Sequence, residues 1–354
     1  PESIEPIRAA FDGFLPQESI RVWFAPGPVH AVDTSNIGRR HTAEFIREAF
    51  LASLQADVVH ITSLFEGFGD NAVHSIGLSS TRPLNAVTFY DLIPLIQSEV
   101  YLTPHPTFEA LYREKLDHLR RADLYLAISE SSRLEVIKHL DVKPEQAVNI
   151  AAAADAHFKP IHISQSKERA CRKHFGLTRP FLMYSGATDD RKNHLRLIKA
   201  FSLLSSDLRK KYQLAIVGKL PDEHREKFEH YSKLCGLNST DVVITGRVSD
   251  DDMVSLYNLC ELFVFPSWHE GFGLPALEAM SCGASVIGSN TTSLPEVIGR
   301  ADALFDPFDS KAITRKIAEV LIDDRLRDDL ARHGLEQAKK FSWDESAKRA
   351  ISAF

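Results

Sequence analysis

The sequence predicts an α/β protein of two Rossmann-like, doubly wound parallel-sheet domains facing a cleft. Short apolar runs alternate with longer amphipathic segments along the chain, and 354 residues exceed what one hydrophobic core usually supports. The alternation is that of strands and helices, and the runs are too continuously apolar for strands with one wet face.

In the first half the runs are Ile20–Ala25, Asp57–Thr62, Asn85–Tyr90, Asp123–Ser129 and Ala147–Ala151. In the second they are Phe181–Gly186, Tyr212–Gly218, Asp241–Gly246, Glu261–Pro266, Ala284–Ser289 and Ala303–Asp306, most of them ending at Gly, Pro or Ser. Segments with helical apolar spacing lie between them, as at Leu195, Ile198, Leu203 and Leu204. A polar stretch follows Asp155–Pro160, which sets a hinge near 155–166. The expected domains are therefore 1–160 and 161–340, with a last helix in 341–354. Ligands bind at the carboxyl ends of the strands in such open sheets.

Lys and Arg number 42 against 48 Asp and Glu, a net charge of -6, which argues against a nucleic-acid partner. Cys171, Cys235, Cys260 and Cys282 are far apart and lack the spacing of a zinc or redox motif. Such scattered thiols read as buried and unpaired in a reducing compartment. No apolar run approaches the ~18 residues that span a bilayer, and Pro1–Ser3 opens an amphipathic stretch rather than a signal peptide. The expected location is the cytoplasm.

The chemistry concentrates in two segments. In Phe265–Glu278 an apolar strand stops at Pro266, a loop carries Gly271 and Gly273, and Pro275 suits the first turn of a helix. Glycines let a ligand approach the main chain, and a helix start offers free N–H groups and a positive dipole end to an anion. The dipole supplies only ~0.3–2 kcal/mol, so cationic side chains are expected nearby. Ser185–Asn193 provides them at another strand end: Gly186, then Arg191 and Lys192, placed to neutralise a diphosphate. Glu270 and Glu278, eight residues apart, suit acceptance of hydrogen bonds from hexose and ribose hydroxyls.

Glu270 and Glu278 within Pro266–Glu278, with Arg191–Asn193, Gly246–Asp250, Ser293–Val297 and Phe341–Trp343, resemble the donor motifs of the group 1 family of retaining glycosyltransferases of GT-B fold. Phe89–Leu95 and Ala122–Ser132 are similar to bacterial O-antigen mannosyltransferases. By that resemblance Glu270 contacts the transferred sugar and Glu278 the ribose. Backbone groups of Phe272, Gly273 and Leu274 touch the sugar and distal phosphate, Arg191 and Lys192 clamp the diphosphate, and Val248 meets the base. Tyr90, Asp91 and Glu66 fall on the sugar or acceptor side. The implied reaction is front-face transfer with retention, without metal or cofactor. Its substrates are a nucleotide-diphosphate sugar, GDP-mannose by the first-lobe likeness, and a polysaccharide or lipid-linked glycan. Peripheral contact with the inner face of the membrane would suit a lipid-linked acceptor.

The sequence departs from that family at Ala187, where many relatives carry Arg, and at Tyr90, where many carry His. An initial strand and Gly-rich loop are also not found, leaving open a fragment or a truncated, non-catalytic lobe pair. A UDP-sugar donor stays open too. A nicotinamide oxidoreductase is disfavoured because no Gly-x-Gly-x-x-Gly follows a strand. Asp250–Asp252 contains an Asp-x-Asp, but Ser249 before it reads as a helix N-cap rather than part of a metal site. Asp91 fits either a functional position or a cap. Phe65–Asp70 echoes the glycines at 271 and 273 without matching flanks, and His269 reads as a variable cleft-edge position.

Overall fold

The computed structural model describes residues 4–79 and 83–354; Pro1–Ser3 lie outside the described residues. By their contacts the residues form two compact units. The first runs to Phe89 and adds Pro94–Leu126 and Phe354; the second holds Tyr90–Ile93 and Ala127–Ala353. The contacts thus divide the chain differently from the expected boundary at 160. Residues 127–160 group with the second unit because Ser129, Glu130 and Ser131 make hydrogen bonds to Gly271 and Glu296.

The elements that follow are α1 (Ile37–Ser53), β1 (Val58–Ile61), β2 (Leu84–Phe89), α2 (Pro106–Leu119), β3 (Leu124–Ala127), α3 (Glu130–Leu140) and β4 (Ala147–Asn149). The sheet order is β1-β2-β3-β4, and β1 pairs with β2 in parallel with Val58 opposite Leu84. Ile20–Ala25 does not form the expected strand. Pro26 and Pro28 follow it and lack the N–H a ladder needs. Trp23 and Ala25 instead pack on a small cluster of Val29, Ala43 and Val73.

Within the first unit, a charged group is buried on α1 and α2. Lys115 Nζ lies 3.2 Å from Glu44 Oε1 and His118 Nε2 lies 3.7 Å from Glu44 Oε2, with Lys115 and Glu44 only 2% and 3% exposed. Burial pushes the Glu44 carboxyl up, but the His118 hydrogen bond and the Lys115 charge outweigh it and hold Glu44 at about 2.

In the second unit, β5 (Phe181–Ser185), β6 (Gln213–Val217), β7 (Val242–Ile244), β8 (Leu262–Phe265), β9 (Val286–Ser289) and β10 (Leu304–Phe305) form a sheet of order β10-β9-β8-β5-β6-β7. Each of its pairs is parallel. Strands β5, β6, β8 and β9 are buried throughout, which explains their predominantly apolar sequences. Gln213, buried at the start of β6, is paired: its Oε1 accepts from Thr178 and Arg179 N–H at 2.8 Å, and its amide donates to Thr240 O at 2.7 Å.

The chain reverses its direction of winding between β5 and β8, which lie side by side although two strands separate them in sequence. Ligands bind outside the carboxyl ends at such a switch point. The helices that matter there are α4 (His194–Ser202), α5 (Asp250–Leu259) and α6 (Leu274–Ser281). The last helix, α7 (Trp343–Ala353), packs on β4, where Ser346 Oγ donates to Ala151 O at 3.2 Å. All four cysteines are unpaired; Cys282 is buried and the other three are half-buried. Among the described residues, no helix is long and apolar enough to cross a membrane.

Candidate functional site

The loops leaving β5 and β8 carry Arg191, Lys192 and Glu270, and the fold brings these three together. Asp189 caps a short 3-10 turn over Asp190–Lys192 by accepting from Arg191 N, and Asn193 follows at φ +65°. Asn193 Nδ2 donates to Pro266 O at 2.9 Å and Pro307 O at 2.8 Å, so one amide ties the loop after β5 to those after β8 and β10. Trp268 N donates to Arg191 O at 3.0 Å and joins the two loops directly.

Glu270 is their meeting point. Lys192 Nζ lies 2.6 Å from its Oε1 and Arg191 Nη1 2.8 Å from its Oε2, all three side chains being at most 17% exposed. The same Arg191 nitrogen donates to His269 O at 2.8 Å. Ser293 Oγ is within 3.0 Å of Glu270 O and 2.7 Å of Phe272 O, and Thr292 accepts from Glu270 N. A carboxylate and two cations are thereby fixed at the switch point in hydrogen-bonded, low-dielectric surroundings.

Gly186 ends β5 where any Cβ would meet the Tyr184 hydroxyl. That phenol is buried beside Glu270, and burial pushes its pKa up. Gly273 stands at φ +104° as the N-cap of α6, with Leu294 2.6 Å from where a Cβ would sit. Glycine is required there on both counts. Pro275 lies in the first helical turn, as expected, and Leu274 is partly open to solvent. Phe272 is buried against Phe341, ring centroids 5.5 Å apart.

Glu278 lies one turn into α6 and accepts from Tyr257 Oη at 3.0 Å, while the Tyr257 hydroxyl lies 2.8 Å from Ser185 Oγ. Burial raises the Glu278 carboxyl and the Tyr257 bond opposes it. Val248 packs partly buried on the core just ahead of α5. Ser249 caps that helix, accepting from Asp252 N and donating to Asp252 Oδ2 at 2.7 Å, so this Asp belongs to a cap.

Tyr90 and Asp91 also belong to the second unit. Asp91 Oδ1 accepts from Ile93 N at 3.0 Å, the capping geometry, and burial raises its pKa. A Cβ on Gly271 would stand 2.9 Å from Tyr90 O and 3.0 Å from Asp91 Oδ2, so the pair lies directly against the Glu270 loop. Glu66 lies in the first unit, where it accepts from Ser63 Oγ at 2.7 Å.

Several residues make contacts that the sequence reading did not assign. His269 is not a loose edge position: it is 7% exposed and its Nε2 lies 2.7 Å from Glu135 Oε1. Ser129 Oγ donates to Gly271 O at 2.6 Å, and Ser132 Oγ lies 3.0 Å from the same carbonyl. Glu296 accepts from Glu130 N and Ser131 N at 3.0 and 3.1 Å, a carboxylate at the positive end of α3. Among the described residues, His41, Glu44 and Glu114 are close enough to share a metal ion. Arg40 already lies 2.7 Å from Glu114 and Lys115 3.2 Å from Glu44, so fixed cations hold those carboxylates.

The switch point thus carries a glycine-capped helix, two cations and two glutamates. The profile of the glycosyl transferases of group 1 matches residues 167–337. The chain is 34% identical to the O-antigen chain mannosyltransferase B of Escherichia coli over 76% of its own length and 70% of that protein's. It is 37% identical, over its whole length, to the serotype-specific mannosyltransferase WbdA of Escherichia coli, of which it covers 43%. The chain belongs to the group 1 glycosyltransferases. It spans about two fifths of the length of the WbdA proteins it matches. Its fold is GT-B: the crystal structure of WaaG, a glycosyltransferase involved in lipopolysaccharide biosynthesis, superposes with a TM-score of 0.68 at 19% identity, covering 99% of this chain and 93% of that one.

Proposed function

We propose that this chain transfers a hexose from a nucleotide-diphosphate donor to a glycan hydroxyl with retention and without metal. The donor is GDP-mannose, and the acceptor is a growing O-antigen-type polysaccharide or lipid-linked glycan. The observation that carries the reading is the convergence of Arg191 and Lys192 on Glu270 at the β5–β8 switch point. Two cations beside the start of α6 suit a diphosphate. A carboxylate between them and the helix suits sugar hydroxyls, which donate to it.

In this assignment Glu270 holds the transferred hexose and Glu278 the ribose. Gly186, Phe272, Gly273 and Leu274 offer main-chain contacts to phosphate and sugar, and Val248 meets the base. Tyr90 and Asp91, packed against Gly271, stand on the sugar side, and Glu66 on the acceptor side. The leaving phosphate oxygen takes the acceptor proton on the face where the new bond forms. The enzyme's part is to fix the reactants and stabilise the charge developing on the diphosphate. Mannose and O-antigen are supported by what the two Escherichia coli relatives are named for. Peripheral membrane contact accompanies a lipid-linked acceptor.

Thermal stabilisation by GDP, UDP and ADP, each with and without EDTA, tests the donor. A ligand bound by the native state alone raises stability with the logarithm of its concentration over Kd. An EDTA-insensitive shift with GDP alone supports the proposal. A shift with UDP alone moves the donor to a UDP-sugar, loss with EDTA brings a metal into the site, and no shift with any nucleotide removes the donor site.

A further inference from the structure

Glu270 is flanked by residues that α3 grips on both sides. Ser129, Ser132 and Glu135 are spaced by three, which places them along one face at the start of the helix. Beyond Glu270, the Gly271 carbonyl accepts from Ser129 Oγ, and Ser132 Oγ, with its one hydrogen, lies within hydrogen-bond distance of both Gly271 O and Tyr90 O. Before Glu270, the His269 ring meets Glu135 Oε1 at 2.7 Å. The second oxygen of Glu135 accepts from Leu92 N at 3.1 Å, so one carboxylate joins the loop of Tyr90 and Asp91 to that of Glu270. Every residue in this arrangement lies in the second compact unit.

The chemistry makes the link directional. An ionised carboxylate only accepts, so Glu135 fixes a proton on His269 Nε2 and with it the orientation of the ring. The main chain of His269 is held as well, since its carbonyl accepts from Arg191 Nη1 at 2.8 Å, the nitrogen that also reaches Glu270 Oε2. Side chains 12% and 9% exposed, as Glu135 and His269 are, form this bond largely shielded from water.

We infer that Glu135 is a positioning residue for the transfer, acting through His269 to set where Glu270 presents its carboxylate. The inference rests on the proposed role of Glu270. Glu135 accepts from Leu92 N and meets the His269 ring. Its loss therefore acts on the Glu270 loop through the His269 ring, while the loop of Arg191 and Lys192 keeps its own anchors, Asn193 Nδ2 to Pro266 O and Pro307 O.

The test compares wild type, Glu135→Ala, Glu135→Gln, His269→Ala and the Glu135→Ala/His269→Ala double variant. It measures kcat and KM with GDP-mannose, affinity for GDP, and hydrogen exchange of the 266–274 segment. The expected kcat falls about 10–100-fold in Glu135→Ala, the scale of a misplaced reacting group. GDP affinity stays within about twofold, and the double variant loses no more than the worse single one, as coupled residues do. Glutamine, which accepts from Leu92 and donates to the other histidine tautomer, recovers most of the rate. Exchange in 266–274 rises in Glu135→Ala and His269→Ala but not in Glu135→Gln. Unchanged exchange in Glu135→Ala overturns the inference, as does an unchanged kcat or a loss confined to GDP affinity. A wild-type chain that transfers nothing from any donor overturns the proposed function instead, and exchange in the same variants still decides whether Glu135 holds the loop.

Discussion

Lys192 Nζ and Glu270 Oε1 lie 2.6 Å apart in a pair whose side chains are 10% and 8% exposed. Removing one partner leaves the other charge desolvated, which commonly costs about 3 kcal/mol or more. Lys192→Ala is therefore expected to lower stability by roughly 2–3 kcal/mol, the smaller end because Arg191 stays on the second oxygen. It is also expected to weaken GDP binding. Urea denaturation and calorimetry read the two effects; a variant as stable and as tight as wild type would show that the pair carries neither.

Gly271 is a glycine for lack of room. Tyr90 O and Asp91 Oδ2 stand 2.9 and 3.0 Å from where a Cβ would be, and neither is the free end of a long side chain. Gly271→Ala should cost about 1–3 kcal/mol by overpacking. It should also reduce transfer more than GDP binding, since the strain falls beside Glu270. A thermal melt within a degree of wild type would mean the contact relaxes freely.

These residues differ in how far the sequence exposes them. Arg191, Lys192 and Glu270 each stand just past an apolar run that ends in a breaker, and a doubly wound sheet sets β5 beside β8, so adjacency followed from topology. Glu278 was legible because a helix fixes its distance from the loop. Glu135 and His269 were not: a lone glutamate on an amphipathic helix looks like a solvated residue, and no local pattern marks a partner 134 positions away. The boundary expected at 160 followed a polar stretch, whereas compactness depends on which surfaces α3 and β4 touch. Ile20–Ala25 had the composition of a strand, yet the prolines after it outweighed that composition.

Acid should weaken the first unit through Glu44. Its carboxyl sits at about 2 against an ordinary 4.5. A depressed acid stabilises fully above the unfolded value and loses that contribution as pH falls from about 4.5 towards 2. Denaturation midpoints measured from pH 6 to pH 3 should fall in wild type, and Glu44→Gln should flatten that slope while costing stability at neutral pH. An equal slope in the variant would assign the acid sensitivity to other carboxylates.

Tyr257→Phe removes the donor that opposes burial at Glu278. The carboxyl should then rise further, so GDP affinity should begin to fall at a higher pH than in wild type as the solution is acidified. At neutral pH the loss should be about 3–10-fold, one hydrogen bond's worth. Calorimetric titrations at several pH values decide it; identical profiles would detach Tyr257 from the ribose-side glutamate.

The central claim is that Glu270 serves the sugar and the cations beside it serve the diphosphate. Its most direct measurement pairs mannosyl transfer from GDP-mannose, followed by mass spectrometry of the acceptor, with GDP affinity for wild type and Glu270→Ala. Transfer by wild type, its abolition in Glu270→Ala and a GDP affinity held within about threefold is the expected result. Undiminished transfer by Glu270→Ala, or loss of GDP binding and transfer together, would contradict it.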